Sequence, residues 1–237
     1  MKDIVLVLSL SVLAGITIPV GGILARVEHI RPRWLEEEFR HSVIAFGGGA
    51  LLAALSLVLI PEGIRNLSLI LVISAFLGGG LFFLWIDRCL ANRGDSVSQL
   101  MAMLLDFIPE ALALGALLSS GERTAVLLAF LIALQNLPEA FNAYREMIAG
   151  SRLSSAAILG LFSGLVFLGP LSAVLGISLF ATRETLLGVI MVFSAGGILY
   201  LIFHDIAPQV KLKNHWAPSL GAVCGFLLGV IGHVLIH

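Results

Sequence analysis

Leu105-Asp106-Phe107-Ile108-Pro109-Glu110-Ala111-Leu112-Ala113-Leu114-Gly115 sets two carboxylates and a proline inside an apolar run that could span a bilayer. An ionisable side chain in hydrocarbon costs at least ~2.5–3.5 kcal/mol on insertion scales, so its presence there asks for a functional reason. A second stretch, Gln135-Asn136-Leu137-Pro138-Glu139-Ala140-Phe141-Asn142, carries the same Pro-Glu-Ala core. The remaining chain reads as the scaffold that brings these two helices together.

Composition supports that reading. Of 237 residues 59% are hydrophobic and only 12% charged, and the mean hydropathy is +1.04. A soluble domain of this length needs more charge to cover its surface. The chain is therefore expected to be an all-α integral membrane protein with the lipid bilayer as its surroundings. The formal net charge of −1 and the lack of any basic cluster give no reason to expect a nucleic-acid partner. Cys89 and Cys224 are too far apart in sequence and context to suggest a disulfide framework or a thiolate metal site.

Eight apolar segments separate, at roughly 4–25, 42–60, 67–86, 97–119, 124–148, 154–180, 187–207 and 216–236. Each approaches the ~20 residues a transmembrane helix requires. The first follows Met1-Lys2-Asp3 and is read as a helix rather than a cleaved leader, because no small-x-small site follows it before Arg26. Absence of period-2 alternation argues against a β-barrel. The connections leave no room for a separate soluble domain, so residues 1–237 form one polytopic unit. Loops after odd-numbered segments hold ten basic residues (Arg26, Arg31, Arg33, Arg40, Arg88, Arg93, Arg145, Arg152, Lys211 and Lys213), against four on the other side (Lys2, Arg65, Arg123 and Arg183). The bias predicts both termini outside the cytoplasm, in a plasma (inner) membrane. The largest loop, Arg26 to His41, holds Glu28, His29, Glu36, Glu37 and Glu38 and reads as a solvated connection.

Two internal repeats organise the segments. Phe46-Gly47-Gly48-Gly49-Ala50-Leu51, ending at Pro61, aligns with Phe193-Ser194-Ala195-Gly196-Gly197-Ile198, ending at Pro208, with both landmarks 147 residues apart. Asp106-x-x-Pro109-Glu110-Ala111 aligns with Gln135-x-x-Pro138-Glu139-Ala140 on the next segment. The expectation is an inverted repeat, segments 1–3 against 6–8 and 4 against 5, with a polar site at the meeting point as in transporters.

On a helix Asp106 and Glu110 stand at i and i+4 on one face, as do Gln135 and Glu139, with Asn142 and Glu146 continuing the second face. Facing antiparallel helices would converge four oxygen-bearing side chains, three of them carboxylates, a donor set suited to a divalent cation. Pro109 and Pro138 each remove a backbone donor, which would free the carbonyls of Leu105 and Leu134 beside the same ligands. The plainer account, buried carboxyls hydrogen-bonded within the bundle, is weakened by the duplication. Elsewhere, Glu62 at the outer end of the second segment could attract cations, and His204-Asp205 near the inner end of the seventh could receive a metal on exit; interface or packing roles compete for both. Met101 and Met103 suit packing better than copper.

These residues resemble the ZIP family of zinc- and iron-transporter-like proteins, whose fourth helix usually reads His-Asn-x-Pro-Glu-Gly and whose fifth carries a related motif. Pro61-Glu62 and Ser194-Ala195-Gly196-Gly197-Ile198-Leu199-Tyr200 also look like the family, so the likeness covers nearly the whole chain. It implies eight helices with both termini outside, alternating access by one helix bundle moving against another, and homodimerisation. It also implies a first metal site at Asp106, Glu110, Gln135 and Glu139, with Asp106 standing for the usual histidine. A second family site would need asparagine at Phe107 and an acid at Gly169, before Pro170. Only Asn136 remains there as a weak ligand, so one site is expected. Transported zinc fits best, with iron, manganese or cadmium as alternatives, since an all-oxygen site is harder than an imidazole-containing one. The His-rich loop frequent in the family is missing from residues 87–96, which offer Asp87, Arg88, Asn92, Arg93 and Asp95. Rival readings are a degenerate metal-binding sensor or scaffold of the same fold, and an intramembrane metal-dependent enzyme. The enzyme lacks support from any HExxH, GxSxG or phosphate-cradling motif.

Overall fold

A computed structural model describes residues 2–28, 33–91, 98–118, 122–180, 182–210 and 216–236. The loop positions His29, Arg31, Asn92, Arg93, Asp95, Lys211, Lys213 and His237, and the side chains of Lys2, Arg33 and Glu36, lie outside the described residues. Every described element is helical, as a lipid-immersed backbone requires, because only a helix or a closed barrel satisfies all its own polar groups. Eight of the helical stretches are long and apolar enough to cross a membrane.

Helix α1 is Lys2–Val27. Helix α2 begins as Arg33–Ala54, widens into a π-helical turn at Leu55–Leu59 and ends as Ile60–Ile64. Helices α3 (Leu69–Ala91), α4 (Ser98–Leu117) and α5 (Glu122–Gly150) are continuous, α4 and α5 running through Pro109 and Pro138 without a break. Helix α6 is split into Ser155–Leu165 and Leu168–Phe180, ahead of Gly169-Pro170. Helix α7 runs Glu184–Leu201, takes a second π turn at Ile202–Ile206 and finishes at Ala207–Val210; α8 is Ala217–Ile236. Three boundaries correct the sequence reading. Helix α2 begins at Arg33, nine residues before 42, so Glu37, Glu38 and His41 sit on the helix and not in a solvated connection. Helix α3 runs five residues past 86, so Asp87 and Arg88 sit on the helix and not in the connection. The sixth span is two helices, because the proline disfavours continuous helix just before it.

The π turns share one cause. Pro61 has no N–H for the carbonyl of Leu57, and its ring would crowd that carbonyl; Pro208 stands in the same relation to His204. In each case the residue just before the proline reaches one position further back: the Ile60 N–H bonds to Leu55 O, and the Ala207 N–H to Ile202 O. The two turns start 147 residues apart, at Leu55 and Ile202.

Burial sorts the helices into two classes. The best apolar window is 67% buried in α2 and α5 and 61% in α4 and α7, against 33, 17, 28 and 11% in α1, α3, α6 and α8. The inner four make the core and the outer four present apolar side chains such as Leu69, Ile70, Phe167 and Leu235 outward. Each outer helix packs mainly on one inner helix: α8 on α2, α3 on α7, α1 on α5 and α6 on α4. Glycine permits close approach in all four pairs, through Gly21 against Leu137 O in α1/α5 and through Gly115 and Gly176 against Ala173 O and Leu112 O in α4/α6. A Cβ at Gly49 would overlap the Ala222 carbonyl, and one at Gly225 the Phe46 carbonyl; in the α3/α7 pair, Gly196 meets Phe76 O and Gly79 meets Phe193 O in the same way. Small residues that let backbones touch are the usual adhesive between helices in lipid. The result is two groups, α1/α4/α5/α6 and α2/α3/α7/α8, meeting where α5 faces α2 and α4 faces α7.

Candidate metal centre between helices α4 and α5

The Gln135 amide donates to Glu110 Oε2, and the Asp106 and Glu139 carboxyls lie within hydrogen-bond reach of each other. As the number rises along α4 its partner's number falls along α5, so the two helices are antiparallel and the i, i+4 faces meet as expected. Asp106, Glu110, Gln135, Asn136 and Glu139 are all buried, none more than 7% exposed. The Phe107 N–H donates to Asp106 Oδ1 at 2.8 Å, which turns this carboxylate back along its own helix.

What these side chains lack is informative. Glu110 Oε1, Gln135 Oε1, Asn136 Oδ1 and both oxygens of Glu139 are sealed from solvent with no nitrogen or hydroxyl donor among the described residues. All five atoms are oxygens with lone pairs to offer. A buried unsatisfied polar atom costs about 1–3 kcal/mol, more when charged. No lysine or arginine is buried among the described residues, so no internal cation balances the three carboxyls. A region whose unpartnered atoms are all acceptors and whose ionisable groups are all acids suits a cation and repels an anion. The centre is also loose: Asp106, Glu110 and Glu139 do not draw their ligand atoms within 4.8 Å of one another.

Asn136 points away from this group on its donor side, giving its amide N–H to Ala14 O of α1 at 3.2 Å. The neighbouring volume is closed by carbon. Phe107 is 0% exposed, and a Cβ placed on Gly169 would lie 3.0 Å from Phe107 Cζ and 2.8 Å from Ser11 O. The absent side chain at 169 and the large one at 107 thus fill one space between them. Asn142 is half-buried and lines a small cavity with Glu139, Pro138, Ile44 and Ile206. Glu146 is half-buried further along α5. Glu62 pairs with Arg65 at 2.9 Å, at the opposite end of α2 from His41.

His204 and Asp205 join a group that the sequence reading had only in part. Asp87, His204 and Asp205 bring one ligand atom each within 4.8 Å of the others, the only such set of three among the described residues. His204 Nε2 lies 3.3 Å from Asp87 Oδ2 and its Nδ1 lies 3.0 Å from Asp205 Oδ1. The Tyr200 hydroxyl donates to Asp87 Oδ2 at 3.0 Å while its ring stacks on His204 with centroids 5.1 Å apart. Tyr200 and His204 are i and i+4, a visible signal. Asp87 escapes a reading by apolar run, which stops at 86, five residues short of the helix end, although Trp85-Ile86 continues straight into it. Both ring nitrogens of His204 face carboxylates, so a metal would need one of them released.

Comparison of the chain with protein-family models and with curated proteins finds no match.

Proposed function

We propose that this protein carries divalent metal ions across the membrane through one site formed by Asp106, Glu110, Gln135 and Glu139, as a ZIP-like transporter. The observation that carries the reading is the set of sealed acceptor oxygens on α4 and α5 with no buried base beside them. Hard oxygen ligands admit zinc, iron, manganese and cadmium, with zinc favoured at equal geometry.

Alternating access is supported by the division of the helices. All four ligands belong to the α1/α4/α5/α6 group, and α2 and α7 of the other group form the facing wall. Inverted repetition is supported by the π turns at matching places and by glycine contacts that pair α2 with α8 as α7 pairs with α3. The excess of basic residues at the loops after odd-numbered helices favours both termini outside and ion movement inward. Asp87, His204 and Asp205 then lie toward the cytoplasmic end, where a half-exposed acidic group can take the ion as it leaves. Filling of the neighbouring volume by Phe107 supports one ion per carrier. Homodimerisation stays a proposal of the family likeness.

Flux into proteoliposomes tests the proposal. Wild type is expected to take up Zn²⁺ and Glu139→Ala to lose uptake by at least about tenfold. A sensor or scaffold of the same fold would bind the ion in equilibrium measurements yet give no flux in the wild type.

A further inference from the structure

The oxygen-rich centre is closed toward the end of α5 that carries Glu146. Beside Glu139 lies a cavity of about 10 Å³, walled by Ile44, Pro138, Glu139, Asn142 and Ile206. A space this small is at the threshold for a single water molecule. Its polar wall is Glu139 and Asn142 of α5. Its facing wall is two isoleucines, Ile44 from α2 and Ile206 from α7, which are 6% and 7% exposed.

Ile206 differs from Ile44 in having somewhere to go. It is the last residue of the α7 π turn, with the Ala207 N–H bonded back to Ile202 O. It rests on Gly48, where an added Cβ would come within 2.6 Å of Ile206 Cγ2, so α2 is bare beneath it. On its other side is an apolar groove of about 570 Å³ between α2, α7 and α8, and Ile206 is part of that lining as well. One side chain therefore separates a nearly closed polar cavity from a roomy apolar one. A π turn holds one residue more than an α turn of the same hydrogen-bonded span, and such turns concentrate at functional sites. Its return toward α geometry would rotate the residues at its end.

We propose that Ile206 is the inner gate of the ion path: swung into the α2/α7/α8 groove, it opens the cavity beside Glu139 and Asn142 to water, and seated on Gly48 it closes that cavity. This inference takes its purpose from the transport reading, but its test needs no metal. With Cys89→Ser and Cys224→Ala removing both native thiols, Asn142→Cys reports access to the cavity. Permeabilised membranes let a charged methanethiosulfonate reagent reach both faces, so the result does not depend on orientation. Ile206→Ala is expected to raise the labelling rate by about tenfold, equivalent to one decade of opening. Ile206→Val should raise it less, and Ile206→Phe should lower it below the parent. Leu227→Ala, in the groove lining but not in the cavity wall, should leave it unchanged. Equal rates for the parent, Ile206→Val and Ile206→Ala overturn the proposal, as does a Leu227→Ala rate matching that of Ile206→Ala. An ordered Phe–Ile–Val–Ala series in a protein without Zn²⁺ flux would keep the gate and reject the transport reading. Flux with a flat series would do the reverse.

Discussion

Gln135 is the one neutral member of the proposed cation site, and its amide is spent on Glu110. Gln135→Ala should therefore do two things at once: remove an oxygen ligand and leave a second Glu110 oxygen without a donor. Uptake should fall by roughly 10–100-fold, as for other residues that orient ligands, and Gln135→Glu should recover less than Gln135→Asn because it adds a fourth acid. Asp106, as a proposed ligand, would set the hardness of the site. Asp106→His substitutes a borderline nitrogen for an oxygen, and in a competition assay with Zn²⁺, Mn²⁺, Fe²⁺, Cd²⁺ and Co²⁺ it should shift preference away from Mn²⁺ and toward Zn²⁺; an unchanged order would show that Asp106 is not a ligand. Phe107 and Gly169 make a linked pair. Gly169→Ala overpacks the space, at a cost of about 1–3 kcal/mol in unfolding measured in detergent. The share owed to the Phe107 ring should disappear in a Phe107→Ala background while the share owed to Ser11 O stays, a division that a double-mutant cycle reads directly.

Among the helices, α2 and α7 stand apart through their π turns. Pro208→Ala supplies the missing N–H and relieves crowding at the His204 carbonyl, so an ordinary α turn can form. The folded state should gain on the order of 1 kcal/mol while transport slows; equal or faster uptake would remove any functional role for the wide turn. Helix positions were readable in the sequence because apolar length is a direct consequence of bilayer thickness, and Asp106/Glu110 against Gln135/Glu139 was readable because i, i+4 spacing fixes a face. The π turns were not. Pro61 and Pro208 announce a disturbed ladder, but whether the chain kinks, ends or widens depends on what packs alongside, here Gly48 against Ile206. The same holds for Asp87: only the packing of α3 on α7 carries it to His204, and no spacing rule links residues 117 positions apart. The break in α6 lay between, since Gly169-Pro170 marks the disturbance without stating that Val166 and Phe167 absorb it.

At the scale of the whole molecule, two groups of helices press against each other along α2/α5 and α4/α7, and every proposed ligand rides in one of them. At the end of this seam toward Glu146, Glu28 of the α1 C-terminal turn binds Arg145 of α5, and Arg145 also lies 5.8 Å over the ring of Phe141. These bonds tie α1 to α5 within one group, while Phe141 meets Phe39 of α2 edge to face across the seam. The absence of any buried lysine or arginine among the described residues has a consequence for energetics across the bilayer. Three ionised carboxylates cannot be left bare in that interior once the metal has departed. In the proposed carrier, two protons taken up in its place would restore the charge the ion supplied, so each cycle would exchange one divalent ion for two protons and move no net charge. Membrane voltage, worth about 2.3 kcal/mol per elementary charge per 100 mV, then has no purchase on the cycle. Clamping vesicles with valinomycin and potassium should leave uptake unchanged, whereas acidifying their lumen should accelerate it. The protein would be a reader of the proton gradient, indifferent to the electrical one.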